Sequence, residues 1–308
     1  MSHVSEIQKY RQRTVLEEIR RVGFHKWFFV RARGDSPFQR TLVHIALIGL
    51  CIIAAFPLYR ILVVSVRPSG QVLTPVIELW PEGATIQSYI NVIFGRDFLL
   101  WVWNSLIITA ATCVIGLTIA ATSAYSFSRW DFPGKRPGLV FLLATQMIPG
   151  MMLMVPIYIL ATHLNLVNTW RGLVLAYSVQ AVPFSIWILK GYYDTIPYEL
   201  EQAAMVDGCS RMESFYRIVL PLARPALAIA FLFNFMQAWN DFILARIMLQ
   251  RTEMYTWPLG LNRLQGQFTS LWGEFAAASL MLSLPVVVLF LAASRFLIGG
   301  LTIGSVKS

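Results

Sequence analysis

This chain contains six long apolar segments, and segments of this length are typical of helices that cross a lipid bilayer. An α-helix rises 1.5 Å per residue, so about 20 apolar residues cross the roughly 30 Å hydrocarbon core of a membrane. Hydrophobic residues make up 56% of the 308 residues and charged residues only 13%, against about 25% charged in a typical soluble domain. The sequence therefore predicts an all-α integral membrane protein with six transmembrane helices. The predicted spans are residues 42–66, 99–127, 139–161, 172–189, 222–245 and 275–298.

The Lys and Arg residues between these segments predict the orientation of the chain. Cytoplasmic loops of membrane proteins carry an excess of these two residues. Eighteen of them fall on one side of the predicted spans, nine of these within residues 1–40, and six fall on the other side. We therefore expect both termini in the cytoplasm. This bias and contact with anionic membrane lipid explain the net charge of +9 better than binding to nucleic acid does.

The predicted spans and charges divide the chain into three regions. Residues 1–40 form a basic cytoplasmic lead, residues 41–298 the six-span domain, and residues 299–308 a cytoplasmic tail. Within the six-span domain, residues 190–221 form a polar island between spans four and five. Helical connections of two to eight residues are usual in bundles, so an island of this length predicts an element with a role of its own.

The local pattern of this island predicts a helix, a glycine and a second helix. Gly208 can end the first helix, because glycine readily adopts the left-handed conformation of a C-terminal cap. Ser210 and Glu213 have the spacing of a capping box, which would start the second helix, and Pro221 would stop it. An apolar stripe at helical spacing begins within the box and predicts a docking surface. Its members are Met212, Phe215, Tyr216 and Val219.

The island resembles the EAA loop of ABC-importer permeases, the cytoplasmic element that docks on an ATPase subunit. Permeases of that family carry Glu-Ala-Ala, three residues, Gly, nine residues and then Ile-x-Leu-Pro. The matching coupling residues are Gln202, Ala203, Ala204, Asp207, Gly208, Ile218, Leu220 and Pro221, with Glu201 beside them. The resemblance implies that residues 190–221, called the coupling loop below, connect the membrane domain to the ATPase.

One residue of the coupling loop departs from the family pattern. Gln202 occupies the position of the family glutamate, whose carboxylate is expected to pair with a basic residue of the ATPase. A neutral amide cannot supply that charge. Two readings remain open: Glu201, one residue earlier, takes over the ion pair, or Gln202 contacts the ATPase by hydrogen bonds alone.

Further motifs narrow the resemblance to carbohydrate importers of the maltose type, and within them to the MalG-like subunit. They are Asn104-Ser-Leu, residues 125–135, Lys190-Gly-Tyr-Tyr, Trp239-Asn-Asp-Phe, Trp272-Gly-Glu-Phe-Ala and the tail from Gly300 to Lys307. The resemblance implies four kinds of partner: a second permease, two ATPase subunits that bind ATP and Mg, an extracytoplasmic solute-binding protein, and a carbohydrate. It also implies that the chain lies in the inner membrane of a bacterium and that the tail, with Gly304 and Lys307, contacts the ATPases.

Polar side chains inside the predicted spans are candidates for lining the pathway, because they are costly in lipid and need a reason. In span five, Asn234, Gln237 and Asp241 are spaced to share one helical face. Amides and a carboxylate beside an aromatic ring suit the binding of a sugar. Hydrogen bonds between helices would also explain each of these residues taken alone. The candidates are Gln146, Asn234, Gln237, Trp239, Asn240 and Asp241.

Two other classes of protein compete with this interpretation. A secondary transporter or channel driven by an ion gradient usually shows charge pairs in the membrane or inverted repeats, and neither is visible in the sequence. An integral-membrane enzyme would need clustered carboxylates or histidines at a membrane face. No nucleophile–base pair, metal-ligand spacing or phosphate-binding Walker motif is present. We therefore predict no catalytic, metal or cofactor site in this chain.

Overall fold

The computed structural model describes residues 36–68, 79–265 and 271–303. The basic lead up to residue 35 and the tail residues Gly304 and Lys307 lie outside this range. The described chain is mainly helical. In chain order the helices are α1 Pro37–Val66, α2 Gln87–Gly95, α3 Phe98–Arg129, α4 Lys135–Met147, α5 Gly150–His163, α6 Trp170–Tyr193, α7 Tyr198–Val206, α8 Arg211–Ser214, α9 Leu220–Leu222, α10 Arg224–Asn240, α11 Ile243–Met248, α12 Trp257–Asn262 and α13 Trp272–Ile303.

Four helices of the described chain are long and apolar enough to cross a membrane unbroken: α1, α3, α6 and the first 23 residues of α13. Two further pairs meet the same test only when their halves are taken together. Helices α4 and α5 are bent by 103° at their junction, and Arg211–Leu222 and α10 are bent by 78°. The described residues thus contain four to six spans, and the count of six stays a prediction.

The bend between α4 and α5 follows from the sequence at their junction. Pro149 lacks the N–H that a continuous helix would use, and it disfavours helical backbone in the residue before it. Ile148 is accordingly extended, with φ −76° and ψ 123°. The predicted span 139–161 is therefore interrupted near its middle. In contrast, α6 continues through Pro183 without a break.

The second bend lies at Ala223, between α9 and α10. Pro225 stands in the first turn of α10, where its missing N–H leaves the carbonyl of Pro221 without the usual helical partner. The prediction that Pro221 stops the preceding helix is wrong, since α9 continues through Leu222.

The chain divides into two compact units, residues up to Leu62 and residues from Val63 onward. In the first unit, α1 exposes apolar side chains around its circumference, such as Ile53 at 70%. A helix of this kind suits a lipid environment. In the second unit, α3, α6 and α10 pack together, and α13 packs on α10. Small residues such as Gly116 and Ala181 allow these close approaches.

Two buried clusters hold the second unit together, one at each end. At one end, Phe98 packs edge-on against Trp257 with ring centroids 4.0 Å apart, and Trp101 lies against the same indole. At the other end, Tyr125 packs on Phe215 with centroids 4.5 Å apart. The coupling loop contributes Phe215 to the second cluster, so this cluster fixes the loop against the ends of α3 and α6.

Candidate functional site

The first half of the coupling loop folds as the sequence predicts. Helix α7 ends in a Schellman motif, in which the N–H of Cys209 bonds the carbonyl of Ala204 at 2.9 Å and the N–H of Gly208 bonds Met205 at 3.1 Å. Gly208 has φ +94°, a conformation that costs glycine little and other residues more. The predicted helix–Gly–helix unit is therefore present.

The capping box that starts the second helix is also present. The Glu213 N–H donates to Ser210 Oγ at 3.2 Å, and the Ser210 N–H donates to Glu213 Oε2 at 2.8 Å. The bond from the Ser210 backbone favours the ionised carboxylate and lowers the pKa of Glu213. At neutral pH the box is therefore held by a charged acceptor.

The predicted apolar stripe divides between two faces. Residues Phe215–Val219 form a π-helical turn, which holds more residues per turn than an α-helix. Phe215 and Val219 are buried, whereas Met212 and Tyr216 are about half exposed. The prediction that all four form one docking surface is wrong, because the inner pair belongs to the core and only the outer pair is accessible.

Glu201 is buried in the coupling loop and does not face outward. Its side chain is 1% exposed, and its Oε1 lies 2.5 Å from Arg129 Nε. The hydroxyl of Tyr125 donates to its Oε2 at 2.6 Å. Arg129 also donates to the carbonyl of Ile196 at 3.1 Å. The reading in which Glu201 supplies the missing charge to a partner is therefore wrong, since both carboxylate oxygens are engaged inside the chain.

Several other residues of the predicted motif lie on the outward face of the coupling loop. Gln202, Ala203, Asp207 and Gly208 are exposed, while Ala204 is buried. Ile218, Leu220 and Pro221 are half-buried. Four apolar side chains of the coupling loop are also exposed, at 43% or more, and together we call them the apolar rim. The apolar rim consists of Leu200 at 43%, Val206 at 87%, Met212 at 51% and Tyr216 at 57% exposure.

A second polar contact joins the ends of α3 and α6 beside the coupling loop. Ser128 donates to Asp194 Oδ1 at 2.7 Å, and Lys190 bonds Asp194 Oδ2 at 2.6 Å. Sequence reasoning assigned no role to Ser128, Arg129 or Tyr125, although all three lie in a motif that supported the family resemblance. Their polar residue types at the end of an apolar span were the available signal.

The predicted pathway residues do not share one surface. Asn234 is buried and accepts a bond from Ser185 Oγ at 2.9 Å, and Trp239 Nε1 donates to the carbonyl of Leu282 at 3.0 Å. Helix α10 ends at Asn240, so Asp241 leaves the helical face on which it was predicted. It accepts bonds from the Tyr177 hydroxyl at 2.8 Å and the Ala245 N–H at 3.0 Å. These contacts between elements account for Asn234, Trp239 and Asp241.

The remaining three candidates border one cavity. Gln146, Gln237 and Asn240 lie around a cavity of about 770 Å³ between the α4–α5 break, α6 and α10. Gln180 of α6, which sequence reasoning missed, joins them. Gln237 Nε2 donates to Gln180 Oε1 at 3.0 Å, and Gln146 Nε2 lies 3.4 Å from the Gln180 carbonyl oxygen. Within the described chain, no group of three His, Cys, Asp or Glu residues is placed to hold a metal ion.

Unbroken and bent apolar helices, with a capped helix–Gly–helix loop at one end, are consistent with the class of transport permeases. Residues 114–297 match the family described as the inner membrane component of binding-protein-dependent transport systems. This match covers more than half of the chain, and the chain belongs to that family.

Several relatives are similar along nearly their whole length. The diacetylchitobiose uptake system permease protein DasC of Streptomyces coelicolor is 32% identical over 88% of this chain and 99% of its own. The arabinooligosaccharides permease protein AraQ of Halalkalibacterium halodurans is 33% identical over 89% and 99%. The maltose/maltodextrin permease protein MalG of Escherichia coli is 32% identical over 86% and 95%. The predicted resemblance to MalG-like permeases is confirmed.

Solved structures agree with the fold. A chain of a bacterial ABC transporter for the acidic polysaccharide alginate superposes with a TM-score of 0.73. It is 21% identical and aligns with 86% of this chain and 99% of its own. A second structure, of an alginate ABC transporter in complex with its pentasaccharide-bound periplasmic protein, gives a TM-score of 0.62 at 14% identity.

Proposed function

We propose that this chain is a permease subunit of an ATP-driven carbohydrate importer in the bacterial inner membrane. It forms half of the translocation pathway, and a second permease forms the other half. A soluble binding protein delivers the sugar on the outer side, and two ATPase subunits bind ATP and Mg on the cytoplasmic side. The sugar names of the relatives and the neutral amides of the cavity support a carbohydrate substrate.

The proposed topology has six spans with both termini in the cytoplasm. The bent pairs α4–α5 and Arg211–Leu222 with α10 would each count as one span. The excess of Lys and Arg on the side of the coupling loop supports this orientation. Residues 1–40 and the tail would then lie on the same side as the ATPases, and Gly304 and Lys307 would contact them.

The buried Arg129–Glu201 ion pair explains how motion of the ATPase would reach the membrane spans. It ties α7 of the coupling loop to the end of α3, which packs along α6 and α10. An ATPase that moves α7 would therefore also move the spans that border the cavity. The apolar rim provides the contact surface, and Gln202, which is exposed on the same loop, would contact the ATPase through hydrogen bonds.

The energy source tests this function against the alternative of a gradient-driven transporter. Uptake of labelled maltotriose, diacetylchitobiose and arabinotriose would be measured in cells that express the complete system. Import should continue after an uncoupler collapses the proton gradient and should stop when arsenate depletes ATP. Import that stops with the uncoupler while ATP remains high would contradict the proposal. A strain lacking this chain provides the background.

A further inference from the structure

The cavity beside the α4–α5 break has the composition of a binding subsite. Its polar lining comes from side-chain amides and a hydroxyl, and none of its described lining residues is Asp, Glu, Lys, Arg or His. An ionised ligand entering it would lose hydration without meeting an opposite charge, which is costly away from water. The lining therefore suits a ligand that is polar but uncharged.

The Gln180–Gln237 pair leaves hydrogen-bonding capacity for such a ligand. The bond at 3.0 Å uses one amide hydrogen of Gln237 and the side-chain oxygen of Gln180. A glutamine side chain has two donor hydrogens and an acceptor oxygen. Among the described contacts, none engages the Nε2 of Gln180 or the Oε1 of Gln237. The pair thus holds its two side chains in position and still offers a donor and an acceptor.

Aromatic rings complete the chemistry of the cavity. Phe184 and Phe233 both line it and meet edge-on, with centroids 5.0 Å apart and an interplanar angle of 75°. Both rings remain accessible, at 38% and 47% exposure. A sugar ring has hydroxyls around its edge and a C–H face, so amides beside accessible aromatic rings match both of its surfaces.

The backbone at the α4–α5 break gives an independent reason for a site here. Ile148 and Gly150, on either side of Pro149, line the cavity, and Ile148 is extended. Non-helical backbone within a membrane domain is tolerated where it is buried in protein or lines a polar cavity. In transporters, discontinuous helices of this type commonly border the substrate site.

We infer that this subunit itself binds the transported sugar, through a subsite for an uncharged oligosaccharide formed by Gln180, Gln237, Phe184 and Phe233 beside the α4–α5 break. This inference rests on the proposed function and adds to it the residues and the charge class of the substrate. The amide pair bonds sugar hydroxyls and the two rings contact a pyranose face. Gln146, which lies against the Gln180 carbonyl, positions α4 at the edge of the subsite.

The test uses the complete transporter in proteoliposomes, with its ATPases, partner permease and binding protein. The probe is whichever of maltotriose, diacetylchitobiose and arabinotriose the wild type imports fastest. The quantity measured is sugar imported per ATP hydrolysed. The Q180A/Q237A double variant should lower this ratio at least about fivefold, since one neutral hydrogen bond is worth roughly that factor. F184A should also lower the amount of sugar imported per ATP hydrolysed. Q87A, which alters an exposed amide outside the cavity, should match the wild type.

Each result distinguishes the subsite from the proposed function. If the double variant and F184A keep the wild-type ratio, the subsite is wrong while carbohydrate import stands. If uptake and ATP hydrolysis fall together, the residues only support the fold, and the subsite is again wrong. If the wild type hydrolyses ATP but imports none of the three sugars, the proposed carbohydrate substrate is contradicted and the subsite with it.

Discussion

Arg129 Nε lies 2.5 Å from Glu201 Oε1, and this contact joins the end of α3 to the first helix of the coupling loop. The two residues are 72 positions apart in the chain. Both side chains are at most 9% exposed, so removal of either one by mutation would leave the charge of the other buried without its counterion.

We expect Glu201→Ala to weaken the attachment of the coupling loop strongly. Removing one partner of a buried ion pair typically costs about 3–5 kcal/mol, because the remaining charge has no counterion. The measurement is the thermal unfolding of the purified transporter. A double variant, R129M/E201L, should recover most of the loss, since it leaves no buried charge. Wild-type stability of the E201A variant would show that the pair is not structural.

Gly208 should be intolerant of β-branched residues. Its φ of +94° lies in the left-handed region, where a non-glycine residue costs of the order of 1–3 kcal/mol. Gly208→Val should therefore distort the end of α7 and reduce ATP-driven uptake, while the protein still inserts into the membrane. Gly208→Asn is the matched control, because asparagine tolerates this conformation better than valine. Wild-type uptake by the valine variant would contradict the proposed role of the coupling loop in transmitting ATPase motion to the spans.

The apolar rim should be needed for association with the ATPase and not for folding. Val206 is 87% exposed in the isolated chain, and its replacement by Asp would place a charge within an apolar contact. Surface substitutions away from special features usually change folding stability by less than about 0.5 kcal/mol. We expect Val206→Asp to fold normally and to lose the ATPase during purification. Ile86→Asp, on an exposed residue far along the chain, is the control and should retain it.

At the end of the second unit that contains Trp101 and Trp257, an added side-chain atom should lower the stability of the fold. A methyl group on Gly260 would collide with the indole ring of Trp101. Overpacking of this kind typically costs about 1–3 kcal/mol. Gly260→Ala should therefore lower the unfolding temperature. Gly95→Ala is the control, since nothing lies within 4 Å of the added methyl there. Equal unfolding temperatures for the two variants would be inconsistent with the packing at Trp101.

Local signals in the sequence were sufficient to predict the helix–Gly–helix unit of the coupling loop. The left-handed glycine at 208 and the Ser210–Glu213 box depend on residues within one or two turns, and both are present. The side of each helix that becomes buried depends on distant residues. Glu201 could not be placed from its own neighbours, because its burial is decided by Arg129 and Tyr125 of α3.

The dependence of burial on distant residues also explains why the predicted pathway residues do not share one surface. Helical spacing placed Asn234, Gln237 and Asp241 on one face, but α10 ends before Asp241. The Tyr177 hydroxyl and the Ala245 N–H bind the Asp241 carboxylate outside the helix. The π-helical turn at Phe215–Val219 similarly divides a stripe that an α-helical period would keep together. Neither departure has a distinct local signal in the sequence.

Purification of the tagged chain from its native membranes tests the central claim most directly. The account predicts that an ATPase, a second multi-span permease and a soluble binding protein purify with it, and that mass spectrometry identifies all three. Maltotriose, diacetylchitobiose or arabinotriose should then stimulate ATP hydrolysis by the reconstituted complex. A chain that purifies alone, and whose transport persists without ATP, would contradict the assignment as an ABC-importer permease.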